Sequence, residues 1–307
     1  MAGTTPAAEP ASLRSCFGFE VRSALSFHYL REGPGDRLEV VCVPAPDQAA
    51  IGRQLVEWLP RPGRPFHGKL HVSGDGYQLW IENFGWFLIH PDDAWIGVPL
   101  GVDEIRREEH LWGIPAALVL LQRGDLPIHA AAVEVEGGAV LLAAPGRFGK
   151  TTLAAAFLHS GHRVLAEDLS CLRLAPEAVI VPGPAMLRIR RDVLGQFRPR
   201  DARMVGDYGE RISFAMDGPM RGDCTPVPLR AVVLLQEGPN IRFEAIRPAD
   251  ALRELWALST RIPTEENSRR CFSILGGVAA AVPSWWLSRP LSIAELPAVI
   301  EAIQTLG

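Results

Sequence analysis

The stretch "LLAAPGRFGKTTLAAAF", residues 141–157, constrains this chain more than any other. An apolar run of strand type enters a Pro/Gly turn. The turn closes in Gly149-Lys150-Thr151-Thr152, and an alanine-rich helical pattern follows. Such a passage fixes a strand–loop–helix unit. Lys69 and Lys150 are the two lysines of the chain, and every other fixed positive side chain is arginine. A lysine at this point is therefore a selective choice. Ala144-Pro145-Gly146-Arg147-Phe148-Gly149-Lys150-Thr151 fits the phosphate-loop pattern, with Ala144 in place of its first glycine. Backbone N–H groups of the loop and of the first helical turn would face phosphate oxygens, and the helix dipole favours negative charge there. Ala144 through Thr152 are thus read as nucleotide-binding, Arg147 and Phe148 included. Lys150 reaches the phosphates as a point charge, Thr151 offers a hydroxyl to Mg²⁺, and Gly149 lets the backbone approach the ligand. The plain alternative is a tight strand-to-helix turn with a solvent-exposed lysine.

Two further features lie at suggestive distances. The helix after the loop is ended by Gly161, and "HRVLAED" reads as a short returning strand. Its end, Glu167-Asp168, comes back beside the phosphates. A carboxylate there can hold Mg²⁺ or accept the proton of an attacking hydroxyl. Glu167, Asp168 and Thr151 are accordingly the candidate metal ligands. His129 opens the strand pair ahead of the loop and joins Lys150 and Asp168 as a catalytic candidate.

Before this region the chain reads as β-rich, with short strand patterns such as "LEVVCV", "YQLWIEN" and "GWFLIHP" separated by Gly/Asp/Asn/Pro breaks. Gly74-Asp75-Gly76 and Asn83-Phe84-Gly85 read as hairpin turns. A helix is expected over about 103–122, capped by Asp103 and ended by Gly124. Residues 198–226, rich in Arg, Asp, Gly and Pro, read as a long loop, and helices fit 248–259, 265–281 and 292–305. The sequence thus divides into a disordered leader (1–15), a β-rich N-terminal domain with a connecting helix (16–125) and a phosphate-loop domain (126–307).

Together these features resemble the catalytic domain of HPr kinase/phosphorylase and its smaller relatives, the HPr-kinase-like enzymes of lasso-peptide and related peptide-modification clusters. The resemblance rests on "IHAAAVEVEGGAVLLAAP", on "GKTTLAAAFLHSGHRVLAED", on the spacings from His129 to Lys150 and from Lys150 to Asp168, and on "VIVPGPAMLRI". It is firm over about 126–190, and "YQLWIENFGWFLIHPDDAWIGVPL" looks like the β-rich leader of the peptide-cluster relatives. It implies an α/β (α+β) fold: a β-rich N-terminal region, then an HPr-kinase/PEP-carboxykinase-like phosphate-loop domain with a mixed sheet and flanking helices. It also implies that Asp168 is the base for the acceptor hydroxyl, with His129 beside it, Lys150 on the phosphates and Thr151 on Mg²⁺. The sequence departs from the family at Gly146, Arg147 and Glu167, where serine, glycine and aspartate are usual. Asp192 is the candidate for a second metal carboxylate, and Arg269 and Arg270 are candidates for the family's late arginine.

The expected function is ATP- and Mg²⁺-dependent transfer of a phosphoryl group to a hydroxyl of a peptide, a protein or a small molecule. The rival is a nucleotide-binding regulatory or scaffold protein that transfers nothing. An Asn-Lys-x-Asp guanine-reading motif is absent, which argues against a GTPase switch. The net charge of −4 gives no bulk attraction for nucleic acid. No apolar run reaches the roughly 20 residues of a membrane span, and the N-terminus lacks a signal-peptide core. Five scattered cysteines without metal-ligand spacing fit free thiols in a cytoplasmic protein. A homo-oligomer is compatible with the family resemblance and is left open.

Overall fold

The computed structural model describes residues 13–60, 66–74, 76–146, 148–174, 176–195 and 198–306. The fold is mixed α/β, with large mixed sheets and flanking helices. Nine strands make the first sheet: β1 (Arg14–Cys16), β2 (Phe19–Arg22), β3 (Arg31–Glu32), β4 (Asp36–Val43), β5 (Arg53–Trp58), β6 (Gly68–Ser73), β7 (Gly76–Ile81), β8 (Gly85–His90) and β9 (Trp95–Pro99). Their order is β3-β1-β2-β4-β9-β8-β7-β6-β5. Arg14 and Ser15, assigned to the leader from sequence, open the first strand. The β7–β8 turn needs left-handed backbone, which Asn83 (φ 64°) and Gly85 (φ 99°) supply. The other expected hairpin turn includes Asp75, which lies outside the described residues.

The single helix expected over 103–122 is two helices, α1 (Glu104–Leu111) and α2 (Ile114–Arg123). Asp103 caps α1 by accepting the Arg106 N–H at 2.9 Å, and Gly124 ends α2 at φ 100°. Gly113 and Pro115 cause the break. A proline suits the first turn of a new helix and disrupts the interior of an old one. The apolar face of the pair packs on the first sheet, where Trp112, Leu118 and Val119 meet Leu79, Phe87 and Ile96. This core continues into Val181, Met186 and Ala215, so the β-rich region and the region that follows it share it.

The second sheet contains β10 (Leu126–Ile128), β11 (Ala130–Val135), β12 (Gly138–Ala143), β13 (Val164–Ala166), β14 (Ser170–Leu174), β15 (Ala178–Val181) and β19 (Val227–Glu237) in the order β10-β14-β15-β19-β12-β11-β13. β21 (Ser284–Arg289) joins β19, and β20 (Arg242–Ala245) joins β21. α3 (Lys150–His159) follows β12. β12 runs parallel to β19, so both faces of the central strands must be covered. On one face Val133, Val140 and Leu142 meet Leu153 and Phe157 of α3 and Val299 and Ile303 of α8 (Leu296–Gln304). On the other, Ala132, Leu141 and Val232 meet Leu255 of α6 (Pro248–Leu258) and Leu275 and Val278 of α7 (Glu265–Ala281). That double burial is why 139–144 reads as an unbroken apolar run.

Residues 198–226 are more ordered than the sequence reading allows. β17 (Ala202–Tyr208) and β18 (Arg211–Met216) form a hairpin that pairs with β16 (Met186–Arg190), and α5 (Gly218–Arg221) follows. Ile212, Phe214 and Met216 enter one core while Ser213 and Ala215, also buried, lie on the opposite face, and Gly209 (φ 76°) makes the turn. A short helix, α4 (Arg191–Leu194), leads out of β16. Among the described residues no helix is long and apolar enough to cross a membrane, and no disulfide joins the five cysteines.

Candidate functional site

Strand register assembles the site. In the β11–β12 hairpin Ala130 lies opposite Ala143, so His129 stands where β12 gives way to the loop. β13 pairs with β11 through Ala132 and Ala166 in antiparallel sense. Two residues further along that register, position 168 comes level with position 130, beside His129. The His129 N–H is anchored on the Leu258 carbonyl at 2.9 Å. β13 itself is held from the first sheet by Arg31, which is fully buried. Arg31 donates to the carbonyls of Val164 (2.7 Å), Leu165 (3.3 Å), Gly183 (2.7 Å) and Arg221. Burial pulls the Arg31 pKa down to about 10.

The loop ends at Gly149, whose φ of 77° is left-handed. A Cβ there would stand 2.6 Å from Nη2 of Arg289. Glycine is therefore favoured by the backbone conformation, and a larger residue would also have to shift the Arg289 guanidinium. Arg289, itself 2% exposed, donates to the carbonyls of Phe148 (3.0 Å) and Pro290 (3.2 Å) from beneath the loop. Lys150 is 7% exposed, which excludes the solvent-exposed lysine of the plain alternative. Its Nζ donates to the carbonyls of Ala144 (2.7 Å) and Pro145 (3.2 Å) and lies 3.2 Å from Nε2 of His129. Gly146 is exposed, and Phe148 and Thr152 are half-buried. Arg147 lies outside the described residues.

The polar side chains close into one ring. Lys150 donates to Nε2 of His129, which places the ring proton on Nδ1, 3.2 Å from Oδ1 of Asp168. The other oxygen of Asp168, Oδ2, accepts from Nη2 of Arg188 at 2.8 Å. Arg188 Nε donates to Oε2 of Glu167 at 3.3 Å, and Oε1 of Glu167 accepts from the Thr151 hydroxyl at 2.5 Å. Thr151 is bonded to Lys150 in the chain, so the circuit returns to its start. Burial alone would raise the Asp168 carboxyl, but the His129 bond and the Arg188 charge override it and hold the group well below the usual carboxylate range. Charge attraction from Glu167 and Asp168 likewise overcomes burial and holds the Arg188 guanidinium protonated, well above its usual range.

Arg188 is the residue that sequence reasoning missed. "LRIRRD" reads equally as a phosphate-facing segment or a surface strand. Alternation along β16 sends Leu187 and Ile189 into the core and turns Met186 and Arg188 to the opposite face, toward the cavity and the two carboxylates. Asp192, by contrast, pairs with Arg190 in solvent, Arg269 pairs with Glu265, and Arg270 reaches the Gln122 carbonyl at 3.5 Å. The described geometry gives none of the three a place in the ring.

The donor set suits a hard cation. A threonine hydroxyl and two carboxylates are oxygen ligands of the type Mg²⁺ takes, with phosphates and water completing its shell. Among the described residues no group of three or more His, Cys, Asp or Glu side chains converges on a metal-sized point. A cavity of about 210 Å³ abuts the ring, with Glu167, Asp168 and Arg188 in its wall.

No protein-family model matches the chain, and no curated protein matches it. Among solved structures, the HPr(Ser) kinase/phosphatase from Coxiella burnetii is similar to 59% of this chain over 92% of its own length, at 13% identity and a TM-score of 0.30. At those values nothing in the site is transferred from it.

Proposed function

We propose that the protein is a phosphotransferase that moves the γ-phosphoryl group of ATP to a hydroxyl of a peptide, a protein or a small molecule. The ring linking Lys150, His129, Asp168, Arg188, Glu167 and Thr151 carries this reading. It joins a buried phosphate-binding lysine to a carboxylate of controlled protonation at the end of a glycine loop. Lys150, whose ammonium now sits on loop carbonyls, would exchange those bonds for phosphate oxygens. Thr151, Glu167 and Asp168 would hold Mg²⁺, which supplies charge neutralisation on the β- and γ-phosphates when bound. Asp168 accepts the proton of the acceptor hydroxyl. The new O–P bond forms as the bond from the γ-phosphorus to the bridging oxygen breaks, and ADP leaves. His129 keeps the carboxylate oriented through its Nδ1–H. Most of the chemistry is positioning and charge stabilisation.

Labelled phosphate transfer from ATP to serine-containing peptides tests this. Asp168→Asn is expected to lower transfer by at least about a hundredfold. Equal transfer by the variant removes Asp168 from its role. One observation favours a second reading, a nucleotide-binding regulator without transfer. Both Asp168 oxygens are already engaged, and the carboxyl is held low, which makes it a weak base. Tight ATP binding with no phosphoryl product on any acceptor would favour that reading.

A further inference from the structure

The cavity beside the ring lies between the α1–α2 corner and the Glu167–Leu169 segment, with the start of β16 as its third wall. Its volume of about 210 Å³ far exceeds the roughly 10–15 Å³ one water needs, and it falls short of the roughly 300–1,000 Å³ of ordinary ligand pockets. It holds one compact group and no folded surface. Ile81, Trp112, Ile114, Leu169 and Met186 make the lining largely apolar. The charged lining is unbalanced. Among the described residues of the lining, Glu109, Glu167 and Asp168 face it against Arg188. His110, the remaining titratable group in the wall, is pushed down to about 4 by burial and adds no charge at neutral pH. Glu109 is fixed in place, because its Oε1 accepts from the Tyr29 and Ser213 hydroxyls.

We propose that this cavity is the acceptor site, and that it takes an alcohol on a compact apolar body that is neutral or positively charged and rejects anionic alcohols. The proposal rests on the phosphotransferase reading above. Asp168 forms part of the wall, so a hydroxyl entering the cavity meets the carboxylate that would take its proton. The apolar lining covers the body, and Glu109, the acidic wall group outside the Mg²⁺ ligands, attracts a cationic body and repels a carboxylate. The sheet-bearing N-terminal region thereby becomes a selectivity element, since Ile81, Glu109 and Trp112 all come from it.

Three serine derivatives of similar body test the proposal in the full-length protein with ATP and Mg²⁺: serine benzylamide (cationic), N-acetylserine benzylamide (neutral) and N-succinylserine benzylamide (anionic). Expected are transfer to the first two and kcat/KM at least about tenfold lower for the third. Glu109→Gln should shrink the cation-over-anion preference about tenfold, and Ile114→Trp, which fills the cavity, should remove transfer to all three. Should Glu109→Gln not fold, the ranking in the natural protein still decides. Equal or better use of the anionic probe overturns the proposal, as does undiminished transfer to the cationic probe in Ile114→Trp. Retention of ATP with phosphate on none of the probes but transfer to serine-containing peptides overturns the acceptor assignment alone, and retention of ATP with no phosphoryl product on any acceptor overturns the phosphotransferase reading. Failure to retain ATP at all overturns the reading beneath it.

Discussion

Replacing Arg188 by methionine keeps most of the side-chain volume and removes the cation that joins Glu167 to Asp168. The Glu167 side chain is 2% exposed, and with Arg188 gone the Thr151 hydroxyl is its remaining described hydrogen-bond donor. A buried carboxylate deprived of its partner typically costs 3–5 kcal/mol, so this contact sets the scale. Asp168, with a side chain 46% exposed, adds at most about 1 kcal/mol because water screens it. The expected loss is about 4 kcal/mol at neutral pH. For a chain of 307 residues that lowers Tm by about 6 °C, readable by calorimetry or near-ultraviolet circular dichroism. The pH dependence has a definite sign. The Asp168 carboxyl is depressed in the folded protein, so its stabilisation is fully present above the unfolded value of about 4. It is lost as pH falls below that value toward the folded one. The gap between natural protein and variant should hold constant from pH 5 to 8 and narrow below pH 4. A variant within about 2 °C of the natural protein at pH 7 refutes the buried charge ring.

Other substitutions probe separate parts of the structure. Glu108 of α1 is 2% exposed and accepts from the N–H groups of His28 (2.6 Å) and Tyr29 (3.0 Å) and from the Trp112 indole (3.2 Å). Burial nevertheless pushes its carboxyl up to about 7. The unfolded chain gives up that proton near pH 4.5, so stability should fall by up to about 3 kcal/mol between pH 4.5 and 7. Urea unfolding across that range should show the slope, and Glu108→Gln should flatten it. Gly149→Ala combines a left-handed backbone, about 1–2 kcal/mol for a non-glycine residue, with a Cβ that must displace Arg289. Thermal unfolding should show that loss, and calorimetric titration should show ATP affinity falling by more than tenfold.

Much of the second sheet is legible in the sequence because its signals are local. The apolar run 139–144 marks a strand covered on both faces. Gly149 and Gly161 bracket α3, and the return of β13 follows from its length. Register then brings His129 within hydrogen-bond reach of both Lys150 and Asp168. Features built from distant contacts left no such trace. Arg188 faces the carboxylates only because β16 is brought alongside the Glu167–Asp168 segment, some 20 positions back in the chain. Arg31 reaches β13 across more than 130 positions, and nothing in "YLREG" announces a buried arginine satisfied by carbonyls. Glu109 sits in "RREEH", which reads as a solvated helix face, yet it borders the cavity. The β17–β18 hairpin is obscured because its outward residues are Arg, Asp and Glu, although Gly209 and the alternation in "RISFAM" mark it. The break in the 103–122 helix was available in Gly113 and Pro115, whose punctuation outweighs the helical period around them.

The account depends first on Lys150 meeting nucleotide phosphates. Calorimetric titration of ATP with Mg²⁺ into the natural protein and into Lys150→Ala tests that directly. Removing one charge-assisted phosphate contact of about 2 kcal/mol predicts saturable binding by the natural protein and at least thirtyfold weaker binding by the variant. Equal affinity in the two proteins, or no binding by the natural protein, contradicts the account.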